Sequence, residues 1–370
     1  MSDTISIAAV GDIMMGDSHY YVGKGVRSTL EKEEVSHPFE HVMKMLWQKD
    51  IVIGNLESVL SDIGLKKWQL ASLQYRGKKE FVKYLADANF SVLSLSNNHI
   101  MEHGKDAMLE SVMALESACI MPVGLPVIHQ QCEPEKHIRN IKGVDIAFLA
   151  YCLNLERFTQ GIVIKVADII SDVNFFKRLV DRVILLLHWG DEFINFPSPK
   201  QIRIGHSLVN AGADIILGHH PHVLQGIEIY NGKIIAYSLG NLIFDMDWAI
   251  EVRKSMILFI NLTKEGPISF NTIPTFSNKK HQPVPASGKD FESMQRRIAD
   301  LNKEIQNNEI LKNRDEESYR AVAIENLAKY RKHLHAVVLK QLPKLPLHIS
   351  AQIMVKPIIR RLFLNKLDVS

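Results

Sequence analysis

Three histidines, His219, His220 and His222, fall within four residues of the stretch ILGHHPHVLQG, with Pro221 between the last two. Neutral imidazoles packed this densely are metal-ligand chemistry more than core filling. Four further clusters have the same character: Gly11-Asp12, Asn55-Leu56-Glu57, Asn97-Asn98-His99, and His188-Trp189-Gly190 with Glu192 just beyond. Each alone has a plain structural explanation, such as a turn after a strand, an asparagine helix cap or a satisfied core histidine. Gathered in one place they would supply carboxylates, amides and imidazoles with no thiolate, a set suited to divalent Mn, Fe(II), Zn or Ni. Their number exceeds the needs of one tetrahedral ion. Two ions roughly 3.5–4 Å apart would use it, making water nucleophilic near neutral pH and clamping the oxygens of a phosphoryl group.

Positioning these clusters requires elements that end where they begin. Short apolar runs start at Ile5, Ile51, Phe90, Asp145, Val183, Asp214, Ile234 and Met256, each flanked by turn formers. Such runs read as strands buried on both faces. All five polar clusters follow directly on one of them, and in α/β sheets ligands bind beyond the carboxyl ends of strands. Helical patterns lie between: PFEHVMKMLWQK after a proline, GKDAMLESVMALESA with Met108, Val112 and Leu115 at helical spacing, and SPKQIRIGHSLVNAG with a Ser-Pro start and a glycine stop. The alternation predicts an α/β core, with two stacked sheets as one form of it. Residues 1–275 form the expected main domain and 276–288, with Pro283 and Pro285, a linker. Residues 289–370 are expected as a charged, helical, basic C-terminal extension.

The bulk properties exclude several classes. A chain of 370 residues with 46% hydrophobic and 23% charged residues is ordinary globular material. A net charge of +3 gives no ground for expecting nucleic acid as a partner. The three cysteines, Cys119, Cys132 and Cys152, are too loosely spaced for a disulfide framework or zinc knuckle, which points to a reducing compartment. No signal peptide or transmembrane helix is recognised. The expected location is the cytoplasm, with peripheral membrane association as the alternative.

At motif level the chain resembles the CapA family, named for poly-γ-glutamate capsule synthesis and grouped with the calcineurin-like metallophosphoesterases. The resemblance rests on AVGDIMMG, IVIGNLES, LSLSNNHIMEHG, VILLLHWGDEFINFPSPKQ, LVNAGADIILGHHPHVLQGIEIYNGK and IIAYSLGNLIFD, spanning Ala9 to Asp245. It implies a four-layer α/β/β/α metallophosphoesterase-like sandwich binding one or two divalent ions (Mn, Fe or Zn) at its strand ends. By the same resemblance Asp12 is a first-metal ligand and Glu57 the bridging carboxylate. Asn98, His188 and His220 are second-metal ligands, His222 a first-metal ligand and His99 the general acid. Asn55, Glu192, His219 and Asn241 are expected in supporting or substrate-contacting positions. The sequence departs from the broader superfamily at two points: Met14 stands where Asp-x-His would place histidine, and Glu57 where the bridge is usually aspartate. The segment from Gly124 to Asp181 is short for the family, and the N-terminal membrane anchor of many members is not expected here.

Two functions of different class follow. The first is a metal-dependent hydrolase acting on a phosphate ester or polymer-linked intermediate in capsule, exopolysaccharide or poly-γ-glutamate production. The second is a non-catalytic accessory subunit that scaffolds a polymer synthase complex. From Asn326 to Leu367 the chain has nine Lys or Arg (Lys329, Arg331, Lys332, Lys340, Lys344, Lys356, Arg360, Arg361 and Lys366) and no Asp or Glu. That stretch reads as a helical subdomain packed on the core, or as a basic face for anionic membrane.

Overall fold

The computed structural model describes residues 4–18, 21–124, 133–153, 164–266, 268–307, 315–345 and 347–354. Its strands are β1 (Ile5–Ile13), β2 (Ile51–Leu56), β3 (Val59–Leu60), β4 (Arg76–Gly77), β5 (Val92–Ser94), β6 (Met121–Val123), β7 (Ile138–Ile141), β8 (Val144–Cys152), β9 (Arg182–His188), β10 (Ile215–His219), β11 (Ile227–Tyr230), β12 (Lys233–Ala236), β13 (Asn241–Ile243), β14 (Lys254–Leu262), β15 (Ser269–Ser277) and β16 (Pro283–Pro285). Each of the eight apolar runs overlaps one of them. One sheet has the order β16-β15-β14-β1-β2-β5-β6, with β13 also paired to β1, and the other β11-β12-β10-β9-β8-β7. β1, β2, β5 and β6 run parallel in the first sheet, and β12, β10, β9 and β8 run parallel in the second.

Residue alternation explains the layers. In β1, Ile7 and Ala9 face the second sheet, while Ala8 and Val10 face helices on the outside. In β8, Ile146, Phe148 and Ala150 point between the sheets; Ala147, Leu149 and Tyr151 point to the opposite helical layer. Side chains of a strand alternate faces, so strands apolar at every position must be covered twice. The outer layers are helix Gly104–Ser117 with Met108, Val112 and Leu115 inward, and helices Val166–Lys177 and Pro199–Asn210 on the other side. The result is the expected four-layer α/β/β/α sandwich. Helix Pro199–Asn210 starts where the sequence predicts. Ser198 Oγ accepts from Gln201 N at 3.0 Å, and Gln201 Oε1 accepts from Ser198 N at 2.9 Å. PFEHVMKMLWQK yields only the helix Met43–Trp47, because tight turns at Phe39 precede it.

The C-terminal quarter is more integrated than its composition suggests. Within 276–288, the expected linker, Phe276 and Ser277 end β15 and Pro283–Pro285 form β16, paired with it. Helix Gly288–Gln306 closes the open side of the sandwich. Its Met294, Ile298 and Leu301 enter the core between the sheets. Gln306 both donates to Ile229 O and accepts from Ile229 N, each at 3.2 Å, and Asn302 Oδ1 accepts from Ile227 N at 2.7 Å. These amides cover the free edge of β11, which would otherwise be open to pairing. Helix Glu316–Gln341 lies outside, anchored by the buried Tyr319. Of the nine basic residues, Lys356, Arg360, Arg361 and Lys366 lie outside the described residues.

Candidate metal centre

Strand register brings the clusters to one level. Asp12 on β1 is opposite Asn55 on β2 and Asn241 on β13, and Asn55 is opposite Ser94 on β5. In the second sheet His188 pairs with His219. Both sheets thus deliver their carboxyl ends to one place, where Asp12, Asn55, Glu57, His188, His219, His220, His222 and Asn241 are buried and Asn98, His99 and Glu192 half-buried. Close backbone approach is required: a Cβ on Gly11 would lie 1.9 Å from Gly240 O.

Three sets of donors converge, with ligand atoms within 4.8 Å of one another: Glu57, His188 and His220; Asp12, Glu57 and His222; and Glu192, His220 and His222. Glu57 belongs to the first two. Its carboxylate is fully buried and neither oxygen has a hydrogen-bond partner. Instead Oε1 faces Nε2 of His99 and His222 at 3.7 Å each and Nε2 of His188 at 3.9 Å. Among the described residues, the ion pairs of Asp12 and Glu57 are all with histidines. A buried carboxylate stripped of hydrogen bonds is costly by several kcal/mol, about 1–3 per unsatisfied group and more when charged. The donor chemistry therefore fits a divalent cation.

The electrostatics agree. Burial, then the negative charges of Asp12 and Glu192, push the Glu57 carboxyl well above its ordinary range. Burial also pushes Asp12 upward, but the close approach of His219, followed by His222 and the Asn55 hydrogen bond, holds it below its usual value. His188 is driven far below the normal imidazole range by burial and then by His220, His222, His219 and His99. Burial lowers His220 to about 4. Imidazoles kept neutral retain the lone pair that a metal needs.

The supporting residues fix these groups. Asn55 Nδ2 donates to Asp12 Oδ1 at 2.8 Å. Asn241 Oδ1 accepts from His222 Nδ1 at 2.9 Å, which leaves Nε2 free to face Glu57. His219 Nδ1 lies 3.2 Å from Asp12 Oδ1 without hydrogen-bond alignment, and His219 joins none of the three donor sets. His220 and His222 adopt φ of +95° and +57°, and His220 N donates to Asp12 Oδ2 at 3.1 Å. Asn98 Oδ1 sits 2.9 Å from His188 Nε2. Met14 is fully buried in the outer core, its sulfur accepting from Gly16 N, so position 14 contributes nothing to the centre.

Three residues outside the expected set make direct contacts with it. Asn97 donates to Asn55 Oδ1 at 3.2 Å and Leu56 O at 2.8 Å, and its Oδ1 accepts from His99 N and Ile100 N at 3.1 Å each. It thus shapes the turn carrying Asn98 and His99. Glu102 Oε1 accepts from His99 Nδ1, and Tyr75 stacks on the His99 ring. Glu102 was findable as the acid three residues after His99. Tyr75 carries no signal, because only the fold brings it there.

Fold and site together define an α/β/β/α sandwich with a histidine–carboxylate centre at its strand ends. Residues 6–246 match the family described as bacterial capsule synthesis protein PGA_cap, and the chain belongs to that family. It is 32% identical over 303 residues to the PGA biosynthesis protein CapA of Bacillus subtilis, covering 80% of this chain and 77% of that one. It is 31% identical to the capsule biosynthesis protein CapA of Bacillus anthracis, over 74% and 67% of the two chains. A probable polyglutamine synthesis accessory protein of Mycobacterium tuberculosis is 28% identical, over 60% and 64%. Among solved structures, a Mycoplasma pneumoniae phosphatase superposes on 74% of this chain and 94% of its own, with a TM-score of 0.47 and 11% identity, too loosely to say anything of activity.

Proposed function

We propose that the protein is a metal-dependent phosphoesterase-like hydrolase working in capsule, exopolysaccharide or poly-γ-glutamate production. The observation that carries the reading is Glu57: a fully buried carboxylate with both oxygens unpartnered, ringed by three imidazoles. Asp12, Glu57 and His222 would hold one divalent ion (Mn, Fe or Zn); Glu57, His188, His220 and Asn98 would hold a second. Bound there, such ions supply Lewis acidity toward phosphoryl oxygens and acidify water. The chain's own residues do the rest. Asn55 and Asn241 orient Asp12 and His222. His99, its Nδ1 proton held by Glu102, keeps Nε2 directed to the centre, where the doubly protonated imidazolium would deliver the Nε2 proton to a leaving alkoxide.

The relatives' names support a polymer-synthesis setting. The substrate class is a phosphate ester or a polymer-linked intermediate. The exposed Lys329, Arg331, Lys332 and Lys340 of helix Glu316–Gln341 would suit an anionic membrane surface. Among the described residues no helix is long and apolar enough to cross a membrane. A second reading, a non-catalytic accessory subunit of a synthase complex, draws support from the name of the mycobacterial relative. A panel of phosphomonoesters and phosphodiesters, assayed with the Mn-, Fe(II)- or Zn-loaded protein, separates the two. Turnover abolished by Glu57→Gln supports the hydrolase, and a metal-loaded protein without turnover supports the accessory role.

A further inference from the structure

The third donor set has a property the other two lack: Glu192 is its one half-exposed member, and it comes from a loop after β9 and not from a strand end. That loop is clamped on both sides of Glu192. Before it, Trp189 N donates to His219 O at 3.1 Å and the Trp189 indole to Tyr237 O at 3.0 Å. Gly190 turns with φ +79°, and a Cβ there would meet the Gln201 side chain at 2.6 Å. After it, Phe193 takes φ +66°, uncommon for a residue with a Cβ, and donates from its N–H to Pro221 O at 2.7 Å. Gln225 then holds Ile194 O at 2.8 Å and Phe196 O at 3.1 Å.

The bond to Pro221 matters most, because Pro221 separates His220 from His222. The Glu192 loop is therefore fastened to the turn that carries both histidines, and their relative positions are set by backbone. His220 Nδ1 is buried there with no hydrogen-bond partner.

We propose that Glu192 is a direct ligand of the metal centre, completing a two-histidine, one-carboxylate set with His220 and His222 on its solvent side. Two imidazoles and a carboxylate suit Mn, Fe(II) or Zn. The inference rests on the metal-centre reading above. It raises Glu192 from a supporting residue to a coordinating one.

The test is a Mn²⁺ titration of the metal-free full chain, following free Mn²⁺ by electron paramagnetic resonance. Wild type, Glu192→Gln and Glu192→Asp are compared, with folding checked by near-UV circular dichroism. Loss of an outer partner of a metal ligand costs about 10–100-fold in affinity. A direct ligand should cost more, so Glu192→Gln should lose a class of bound Mn²⁺ or weaken it by more than about 100-fold. Glu192→Asp, which keeps a carboxylate, should retain part of that binding. Wild-type stoichiometry in Glu192→Gln with a loss below about 100-fold overturns the assignment while leaving the metal centre standing. Failure of the wild type itself to bind Mn²⁺, Fe(II) or Zn²⁺ overturns the metal-centre reading, and the role of Glu192 with it.

Discussion

His99 Nδ1 lies 2.9 Å from Glu102 Oε1, and the His99 ring stacks on Tyr75 at a centroid distance of 3.8 Å. A carboxylate accepts, so one proton sits on Nδ1, and Nε2, turned toward Glu57, is the nitrogen that would carry the second proton of the imidazolium acid. Ring orientation and tautomer are both fixed from outside the centre. If this histidine is the acid, its removal should leave the metal donors intact.

The expected outcome for His99→Ala is a turnover loss of about 10²–10⁴-fold with metal content unchanged. The loss should be smallest for esters with a good leaving group such as nitrophenol, which need little protonation. Rates on good and poor leaving groups, measured side by side, decide the point. Equal losses on both would show that His99 positions substrate and does not donate a proton.

The crowded histidines are unequal. His220 and His222 each belong to two donor sets, whereas His219 faces Asp12 from the side. His220→Ala and His222→Ala should deplete metal strongly; His219→Ala should keep most of it and chiefly alter activity. Metal occupancy of the three purified variants checks this. Equal depletion in His219→Ala would mean that all three imidazoles are ligands.

Gly11 and Gly240 touch through the backbone, the Gly240 carbonyl also accepting from Asp12 N at 2.9 Å. Gly11→Ala should destabilise by about 1–3 kcal/mol, as overpacking does, and loosen metal by displacing Asp12. Urea unfolding of the metal-free protein reads the first effect and metal affinity the second. Wild-type values for both would show that β1 and β13 can part without consequence.

Far from the centre, Asp214 is buried under three cations. Lys177 Nζ lies at 2.8 Å, Arg182 NH1 at 3.0 Å and Lys233 pairs alongside, with Val183 N donating at 2.9 Å. Burial raises its pKa, but these partners, Lys177 first, more than reverse that and hold it below the ordinary value. A depressed folded pKa contributes stability that is present above the unfolded value of about 3.9. That stability is lost as pH falls through the folded value. Asp214→Asn should cost about 3 kcal/mol at pH 7, the low end for breaking a buried pair, since Lys177 and Lys233 are partly exposed and can rehydrate. The difference from wild type should shrink below about pH 4. A difference unchanged in acid would mean that charge is not its source.

Much of this was legible in the sequence for a physical reason. Runs such as VILLLH are buried on both faces, so every position is apolar and the strand ends where the first ligand begins. β15 was hidden because Pro274 and several polar residues interrupt its pattern at a sheet flank. Helix Gly288–Gln306 was expected as a helix, but its packing into the core was hidden by its charge. Its buried stripe, Met294, Ile298, Leu301 and Ile305, has the helical spacing of a core helix, but lysines, arginines and acids fill the remaining faces. Composition over that stretch reads as an appendage, while periodicity gives the packing. Tyr75 and the Phe193–Pro221 bond join residues distant in sequence, and no local pattern reports them.

In the proposed metal centre Glu57 is the shared carboxylate. Elemental analysis of the protein purified without chelator, wild type beside Glu57→Gln, tests that directly. One or two equivalents of Mn, Fe or Zn in the wild type, with most of it lost in a folded Glu57→Gln variant, is the predicted result. Metal-free wild type that stays so after incubation with Mn, Fe(II) or Zn, or a Glu57→Gln variant that keeps its full metal, would contradict it.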